Sequence, residues 1–472
     1  MKVIDFFKEI AKIPRETEKE SKIADYLCEF AQKRNLEYER DEYNNVVIKK
    51  NTSNGEPVIL QAHTDMVCEK DAGKDFDFSK DPIEVIEKDG YLMANGTTLG
   101  ADNGIGVAQI LSILDSNLKC NIEAVFTVAE ETTMEGAFRL DTSKLKGKLL
   151  LNLDGFEENT VIIESAAFSD IIMKLKYQWG QPKNQNQYHI LLKGLKGGHS
   201  GFDIDKNRGN SSMILAEILN EIEEIEIVSF IGGTKFNVIP SDAEAIIRTN
   251  LTEGELKEVI CKKIEEIGIN ELFVEIEEYH AEKSNSDILL KNITRKNSVL
   301  DKRQSKQFLN SIINFPHGVW KINENNEITT SVNLGVVDLK QNILKIGMRS
   351  SRKIEEEDTI KQLNKYAKEN EMKMEIIGHQ PGFETLKNDR IIRLLEKAFY
   401  LVQENKNEKL KMKAVHITVE IGILKEKMPE IQVAIISPNI QGAHTTRERV
   451  EIESIIKTTK WIEEFIKLQN IC

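Results

Sequence analysis

Three apolar stretches, each broken off at an acid or an imidazole, constrain this chain more than any other feature. His63-Thr64-Asp65 follows Val58–Leu60 after Gln61-Ala62, Glu130-Glu131 directly follows Ala124–Ala129, and Asp154 directly follows Leu149–Leu153. Short apolar runs interleaved with helical patterns read as buried strands alternating with helices, which is the arrangement of a layered α/β sheet. In open sheets of that kind, ligands gather in the crevice at the carboxyl ends of the strands. Separate strands that bring carboxylates and an imidazole to that edge meet the requirement of a shared metal site. Taken singly, each has an ordinary reading. A His after a strand is commonly structural, an acid at a strand end commonly caps a helix, and a Glu-Glu pair is commonly solvated. Glu130-Glu131 fits the last reading badly, because two carboxylates ending a buried strand repel unless cations neutralise them.

The alternation opens with amphipathic helices at Val3–Lys12 and Glu20–Arg34, then strands near Val46–Lys49 and Pro57–Gln61. A helix over Asp102–Leu114 and strands at Glu123–Ala129 and Lys148–Leu153 follow. From about residue 183 the pattern changes to a strand at Tyr188–Lys193, a helix at Ser211–Glu223, a strand at Ala243–Thr249 with Arg248 at its end, a helix at Glu253–Glu266 and a strand at Leu272–Ile276. Further along, Ile343–Met348 runs into Arg349, followed by a helix at Glu355–Glu369 and a strand at Lys373–Ile377. The recurring strand–Arg–helix–strand order suggests a weak internal duplication, although an Arg after a strand is common. After Pro381-Gly382 the α/β character returns, with a helix at Asp389–Glu404, a strand at Gln432–Ser437 and a last helix at Glu451–Leu468. The expected organisation is one α/β domain, residues 1–182 and 382–472, interrupted by an α+β insert over 183–381 whose halves span about 183–285 and 286–381.

A length of 472 residues allows two or three domains with a sizeable core. The net charge of −13, with no stripe of Lys or Arg, speaks against a nucleic-acid partner. Five cysteines without CxxC spacing fit free thiols in a reducing cytosol. The first residues read as an amphipathic surface helix and not as a signal peptide, and no apolar run approaches the length of a membrane span. A cytoplasmic chain that engages neither membrane nor nucleic acid is expected.

The Gly-rich segment Gly96–Gly106 has neither the spacing of a dinucleotide fingerprint nor a P-loop Lys. It reads better as a tight turn delivering Asp102 to the start of a helix, where a carboxylate suits the helix dipole. In order along the chain, His63-Thr64-Asp65-Met66-Val67, Gly100-Ala101-Asp102-Asn103-Gly104, Glu130-Glu131, Leu153-Asp154 and Gly442-Ala443-His444 resemble the motifs of the M20 family of zinc peptidases. Gly194-Leu195-Lys196-Gly197-Gly198-His199-Ser200-Gly201, Val415-His416-Ile417-Thr418-Val419-Glu420 and Asn439-Ile440-Gln441-Gly442-Ala443-His444 narrow the resemblance to its aminoacyl-histidine dipeptidase branch. The matches run from residue 13 to beyond 450.

That resemblance implies a zinc-peptidase-like catalytic domain, with a mixed sheet between helices, interrupted by an α+β lid. It implies two divalent cations bridged by Asp102, one held also by Glu131 and His444, the other by His63 and Asp154. This mixed N/O set suits zinc, with cobalt or manganese as substitutes in vitro. Asp65 would orient His63 through its other ring nitrogen, and the Asp102–Asn103 peptide would be cis. Glu130 would serve as general base to a metal-activated water. His199 would donate to the developing oxyanion; without the resemblance, a loop His flanked by glycines reads as structural. Asn237 and Arg349 would grip the substrate's C-terminal carboxylate, for which a planar guanidinium is suited, and that grip would favour dipeptides over longer peptides. His416 is expected at the substrate pocket, and neither it nor Glu420 has a defined chemical role.

Many members of the family complete their site with a partner's lid. Here the second half of the long insert is expected to take that part, so that one chain suffices as a monomer or a homodimer, and lid closure would exclude water. The expected activity is hydrolysis of dipeptides, of Xaa-His type or broad. The alternatives are a tripeptidase or N-acyl amino-acid deacylase of the same family, and a metal-free binding protein on the same fold. The last predicts a broken ligand or a replaced Glu130, and the sequence has neither. Ala443 and Thr445 depart from the Pro and Ser usual around the last His, and Gly155-Phe156-Glu157-Glu158 departs from the acidic run expected after Asp154. Cys68, beside the His63 motif, reads as a structural thiol.

Overall fold

Strands that are apolar along nearly their whole length can be satisfied only where both faces are covered. In the computed structural model, Asn121–Thr127, Val58–His63, Leu149–Asn152 and Gln432–Ile435 lie side by side in parallel at the middle of a nine-stranded sheet. Successive side chains point to opposite faces. Leu60, Ala62, Ala124 and Phe126 join one core with the helices Lys2–Ile10, Ser21–Lys33, Ala101–Leu114, Arg390–Val402 and Ile452–Ile471. Ile59, Val125, Leu150 and Val433 join another with the helices Glu135–Arg139 and Ile421–Lys427. Glu37–Arg40 and Val46–Asn51 extend the sheet antiparallel on one side, and Thr160–Ser165 with Phe383–Glu384 on the other. The sheet is therefore mixed, with four parallel strands in its interior and a further parallel pair where Lys411–Val415 joins Thr160–Ser165.

The structure describes residues 2–269, 271–279, 298–324, 326–403 and 407–471. The chain divides into two compact units, Met1–Ser165 with Pro381–Cys472, and Ala166–Gln380. The second unit begins earlier than the boundary at 183 expected from sequence. The reason is the strand Ala167–Lys174, which pairs along its length with Ile343–Ser350 on one side and Lys373–Gln380 on the other.

All strand pairs in the second unit's nine-stranded sheet are antiparallel. From its middle, one half runs outward as Glu226–Gly232, Ala243–Thr249, Asn186–Lys193 and Phe273–Glu278. The other half runs Ile328–Asp338, Ile343–Ser350, Ala167–Lys174 and Lys373–Gln380. The strand–Arg–helix–strand repeat thus occupies equivalent places in the two halves. The second half takes a strand from ahead of the first, so the halves are not consecutive stretches of chain. The expected junction at 285/286 lies outside the described residues. Ser211–Asn220, Glu253–Ile267, Lys302–Ile313 and Lys353–Glu369 contribute to the single core of this unit. Glu253–Ile267 shows why the local boundaries were readable. The Thr252 side chain accepts the Glu255 N–H, Glu255 accepts the Thr252 N–H in return, and Gly268 closes the helix in the left-handed region.

Cys28, Cys68, Cys120 and Cys261 are free thiols, and Cys472 lies outside the described residues. Among the described residues, no helix is long and apolar enough to cross a membrane.

Candidate metal centre

His63 with Asp65, Glu130-Glu131 and Asp154 extend the carboxyl ends of the parallel strands. His63 is the last residue of its strand, level with Thr127 of one neighbour, and Gln61 is level with Asn152 of the other. Asp65, fully buried, fixes the chain just beyond. Its carboxylate accepts the backbone N–H of Glu130 and of Glu131 at 3.1 Å each and the Thr17 hydroxyl at 3.0 Å. Its Oδ1 also lies 3.4 Å from His63 Nδ1. The sequence pointed to His63 as the partner of Asp65; the geometry adds the turn that presents both glutamates.

Asp102 arrives from a different element, the first turn of Ala101–Leu114, and its peptide to Asn103 is cis. The two oxygens of Asp102 face opposite ways. Oδ1 is 3.1 Å from His63 Nε2 and Oδ2 is 3.0 Å from His444 Nε2. His63 Nε2 is also 3.7 Å from Asp154 Oδ1, and His444 Nε2 is 3.0 Å from Glu131 Oε2. Asn103 steadies Asp154, donating from Nδ2 to its Oδ1 at 2.7 Å and to the Leu153 carbonyl at 2.9 Å. The ligating atoms of His63, Asp102 and Asp154 lie within 4.8 Å of one another, and so do those of Asp102, Glu131 and His444. Each trio offers one imidazole and two carboxylates, and the trios share Asp102.

The electrostatics of this cluster call for cations. Burial favours neutral forms, and with Asp154, Glu131 and Glu420 nearby it pushes Glu130 well above the usual carboxylate range. Asp154 and Glu131 are raised in the same way, by burial first and then by Asp102. Hydrogen bonds to Asp102 and Glu131 raise His444 to about 11. Burial opposes the charged form of His63, yet Asp154 and Asp102 hold it well above 6.5. Asp102 falls below the ordinary range despite its burial, because both imidazoles bind it. Glu131 Oε1 is buried without a hydrogen-bond partner among the described residues. An orphaned carboxylate oxygen is costly unless a cation lies beside it. This donor set, with oxygens to spare and protons for cations to displace, fits two divalent ions.

Beneath these side chains runs a layer of buried polar residues. Gln61 Nε2 donates to Glu420 Oε2 at 2.5 Å and to Thr127 Oγ1 at 3.0 Å, and Thr127 Oγ1 donates to the same Glu420 oxygen at 2.7 Å. Asn152 Nδ2 donates to Gln61 Oε1 and, through its own Oδ1, accepts the Asp154 N–H at 2.9 Å. Sequence reasoning left Glu420 without a role and passed over Gln61, Thr127 and Asn152. Their one signal was polarity inside otherwise apolar strands. Burial pushes Glu420 up to about 8. The folded, metal-free chain therefore keeps a proton there that the unfolded chain has lost, and this destabilises the fold progressively from about pH 4.5 to about pH 8. Glu420→Gln is uncharged throughout. In chelated protein its Tm relative to wild type is expected to rise across that interval, and a difference independent of pH would remove this assignment. His416, just past the strand Lys411–Val415, belongs to neither trio.

The remaining sequence candidates gather within the second unit. His199 pairs with Val238 in a short antiparallel ladder, and the Ser200 N–H donates to the Asn237 carbonyl at 2.9 Å. Asn333 Nδ2 holds the same segment through the Phe236 and Val238 carbonyls at 2.7 and 2.8 Å. Gly335 and Gly347 make room for it, since a Cβ there would lie 2.4 Å from the Lys235 carbonyl oxygen and 2.5 Å from that of Phe236. Arg349, only 4% exposed, sits over the Phe168 ring. Its Nε is 3.4 Å from Ser200 Oγ and its Nη2 is 3.5 Å from His199 Nε2. Burial pushes the guanidinium down to about 10. Burial and then Arg349 push His199 down to about 4, so the ring is neutral near pH 7. Because the Gly201 N–H donates to His199 Nδ1 at 3.1 Å, the ring proton belongs on Nε2. Two donor groups therefore lie side by side. Arg248, the equivalent residue of the other half, donates instead to the Asn184 carbonyl.

The pattern described as peptidase family M20/M25/M40 matches residues 59–468. The cytosol non-specific dipeptidase of Escherichia coli (strain K12) is 31% identical over 478 residues, covering 98% of this chain and 96% of that one. The crystal structure of an aminoacylhistidine dipeptidase from Vibrio alginolyticus matches with a TM-score of 0.80 at 28% identity, over 99% of this chain and 96% of that one. A tripeptidase from Staphylococcus aureus matches at 0.56 and 16% identity over 100% and 98% of the two chains, a likeness of fold alone.

Proposed function

The chain belongs to peptidase family M20/M25/M40, and on that premise we propose that it is a cytoplasmic dipeptidase working with two divalent ions, zinc in the cell. The observation that carries this reading is the pair of trios sharing Asp102, one oxygen to each. His63 and Asp154 would hold one ion, Glu131 and His444 the other, with Asp102 between them. Cobalt or manganese would fit the same donors. Bound there, the ions would lower the pKa of a water and polarise the scissile carbonyl.

The remaining chemistry belongs to the chain. Glu130, outside both trios, accepts the proton of the attacking water and passes it to the leaving amine. Asp65 keeps Glu130 and Glu131 in register through their backbone. His199 Nε2–H serves the developing oxyanion. Arg349, with Asn237, takes the C-terminal carboxylate. The substrate is a dipeptide, of Xaa-His type or broader, with no nucleic acid or membrane involved. These groups come from both halves of the second unit, and the protein is a monomer or a homodimer.

The test is hydrolysis of a panel of dipeptides, tripeptides and N-acyl amino acids, before and after chelation. Dipeptides are expected to be cleaved fastest, with activity lost on chelation and restored by Zn²⁺ or Co²⁺. Activity indifferent to the chelator would overturn the metal reading, and preference for tripeptides or N-acyl amino acids would overturn the substrate.

A further inference from the structure

A carboxylate that bridges two ions must be placed to within a few tenths of an ångström on both sides at once. Asp102 comes from a Gly-rich turn, which has no stiffness of its own. Two buried residues outside every motif discussed above supply it. Arg15, 2% exposed, donates from Nη1 to the Thr64 and Asp65 carbonyls at 3.0 and 3.1 Å, and from Nη2 to the Gly100 carbonyl at 2.5 Å. One guanidinium thus ties the turn after His63 to the turn before Asp102. A Cβ on Gly100 or Gly104 would lie 2.3 or 2.6 Å from Arg15 Nη2, so the guanidinium requires both glycines, and the left-handed turn requires Gly100 as well.

Glu448, 3% exposed, works from the other side. Its Oε2 accepts the N–H of Leu99 at 2.8 Å and of Gly100 at 2.9 Å, and its Oε1 accepts those of Ala101 at 2.7 Å and Asp102 at 3.1 Å. Glu448 lies on the same loop as His444, between the short strands Ile440–Gln441 and Arg449–Glu451. Its N–H closes on the Thr445 carbonyl at 3.1 Å. The Glu448 side chain therefore links the Asp102 turn to the loop carrying His444, while its charge opposes that of Arg15.

We propose that Arg15 and Glu448 are positioning residues that set the spacing of the two metal sites, holding Asp102 to the His63 turn on one side and to the His444 loop on the other. This rests on the two-metal reading. Neither residue belongs to either trio of ligating atoms. Side chains that orient ligands typically contribute about 10–100-fold to metal affinity. Gln in place of Glu448 keeps the shape but turns an NH₂ group toward backbone donors, so Asp102 loosens from the His444 side.

The experiment is titration of the chelated, full-length chain with Zn²⁺, followed by competition with a chromophoric chelator and by the visible spectrum at saturating Co²⁺. The wild type is expected to take up two ions. Glu448→Gln is expected to fold with wild-type circular dichroism, to bind at least one ion about 10–100-fold more weakly, and to show an altered cobalt spectrum. Activity is expected to return as metal is raised to saturation. Should Glu448→Gln fail to fold, Arg15→Lys, which keeps the charge and loses the fork, carries the test on the same scale. A two-ion wild type with variant affinities and spectrum unchanged overturns this inference alone. A wild type that binds fewer than two ions overturns the metal reading, and this inference with it.

Discussion

Glu130→Gln is expected to retain both divalent ions while kcat falls about 10²–10⁴-fold, the range over which a well-placed general base contributes. Metal content is expected to hold because Glu130 belongs to neither trio of ligating atoms. KM is expected to change little, since the amide keeps the size and polarity of the carboxyl group but cannot take a proton. The backbone of this residue is anchored independently by Asp65, so the substitution leaves Glu131 in place. Metal analysis beside steady-state kinetics on one dipeptide checks this. Near-normal kcat would remove Glu130 from the role, and loss of metal would assign it to the ligands.

Arg349→Ala is expected to lower kcat/KM for dipeptides about 10²–10⁴-fold. Two hydrogen bonds to a charged group contribute about 1.5–3 kcal/mol each, and 1.4 kcal/mol is about tenfold. The same substitution is expected to leave hydrolysis of the corresponding dipeptide amides nearly unchanged, because they carry no carboxylate to grip. Arg349→Lys should fall between, keeping the charge without the two-pronged geometry. A buried side chain stacked on Phe168 also contributes packing, so the contrast between acid and amide decides the matter. Equal losses on both substrates would make Arg349 a structural residue.

Part of the candidate site was legible along the chain because His63, Glu130, Glu131 and Asp154 sit where short apolar strands stop. The runs ending at His63, at Glu130-Glu131 and at Asp154 announce both the buried sheet and the groups at its edge. Burial on two faces demands uninterrupted apolar residues, and a charged residue after such a run needs a reason. Helix boundaries in the second unit were legible for a similar local cause, as the Thr252–Glu255 capping box and Gly268 show. The start of that unit was not. Ala167–Lys174 resembles the strands before it, and only its pairing with Ile343–Ser350 and Lys373–Gln380 decides which sheet it joins.

The linear chain by itself settled which chemistry is available: residue types, their order, and the elements that carry them, all set by local backbone and side-chain preferences. Tertiary structure alone decided which distant groups meet. Arg15 with Gly100, Glu448 with four amides of another loop, Glu420 under Gln61 and Thr127, and Arg349 beside His199 are contacts across long stretches of chain. No periodicity encodes them, because each depends on two segments being closed onto each other by cores formed elsewhere, and on buried polar atoms having to find partners once water has been excluded.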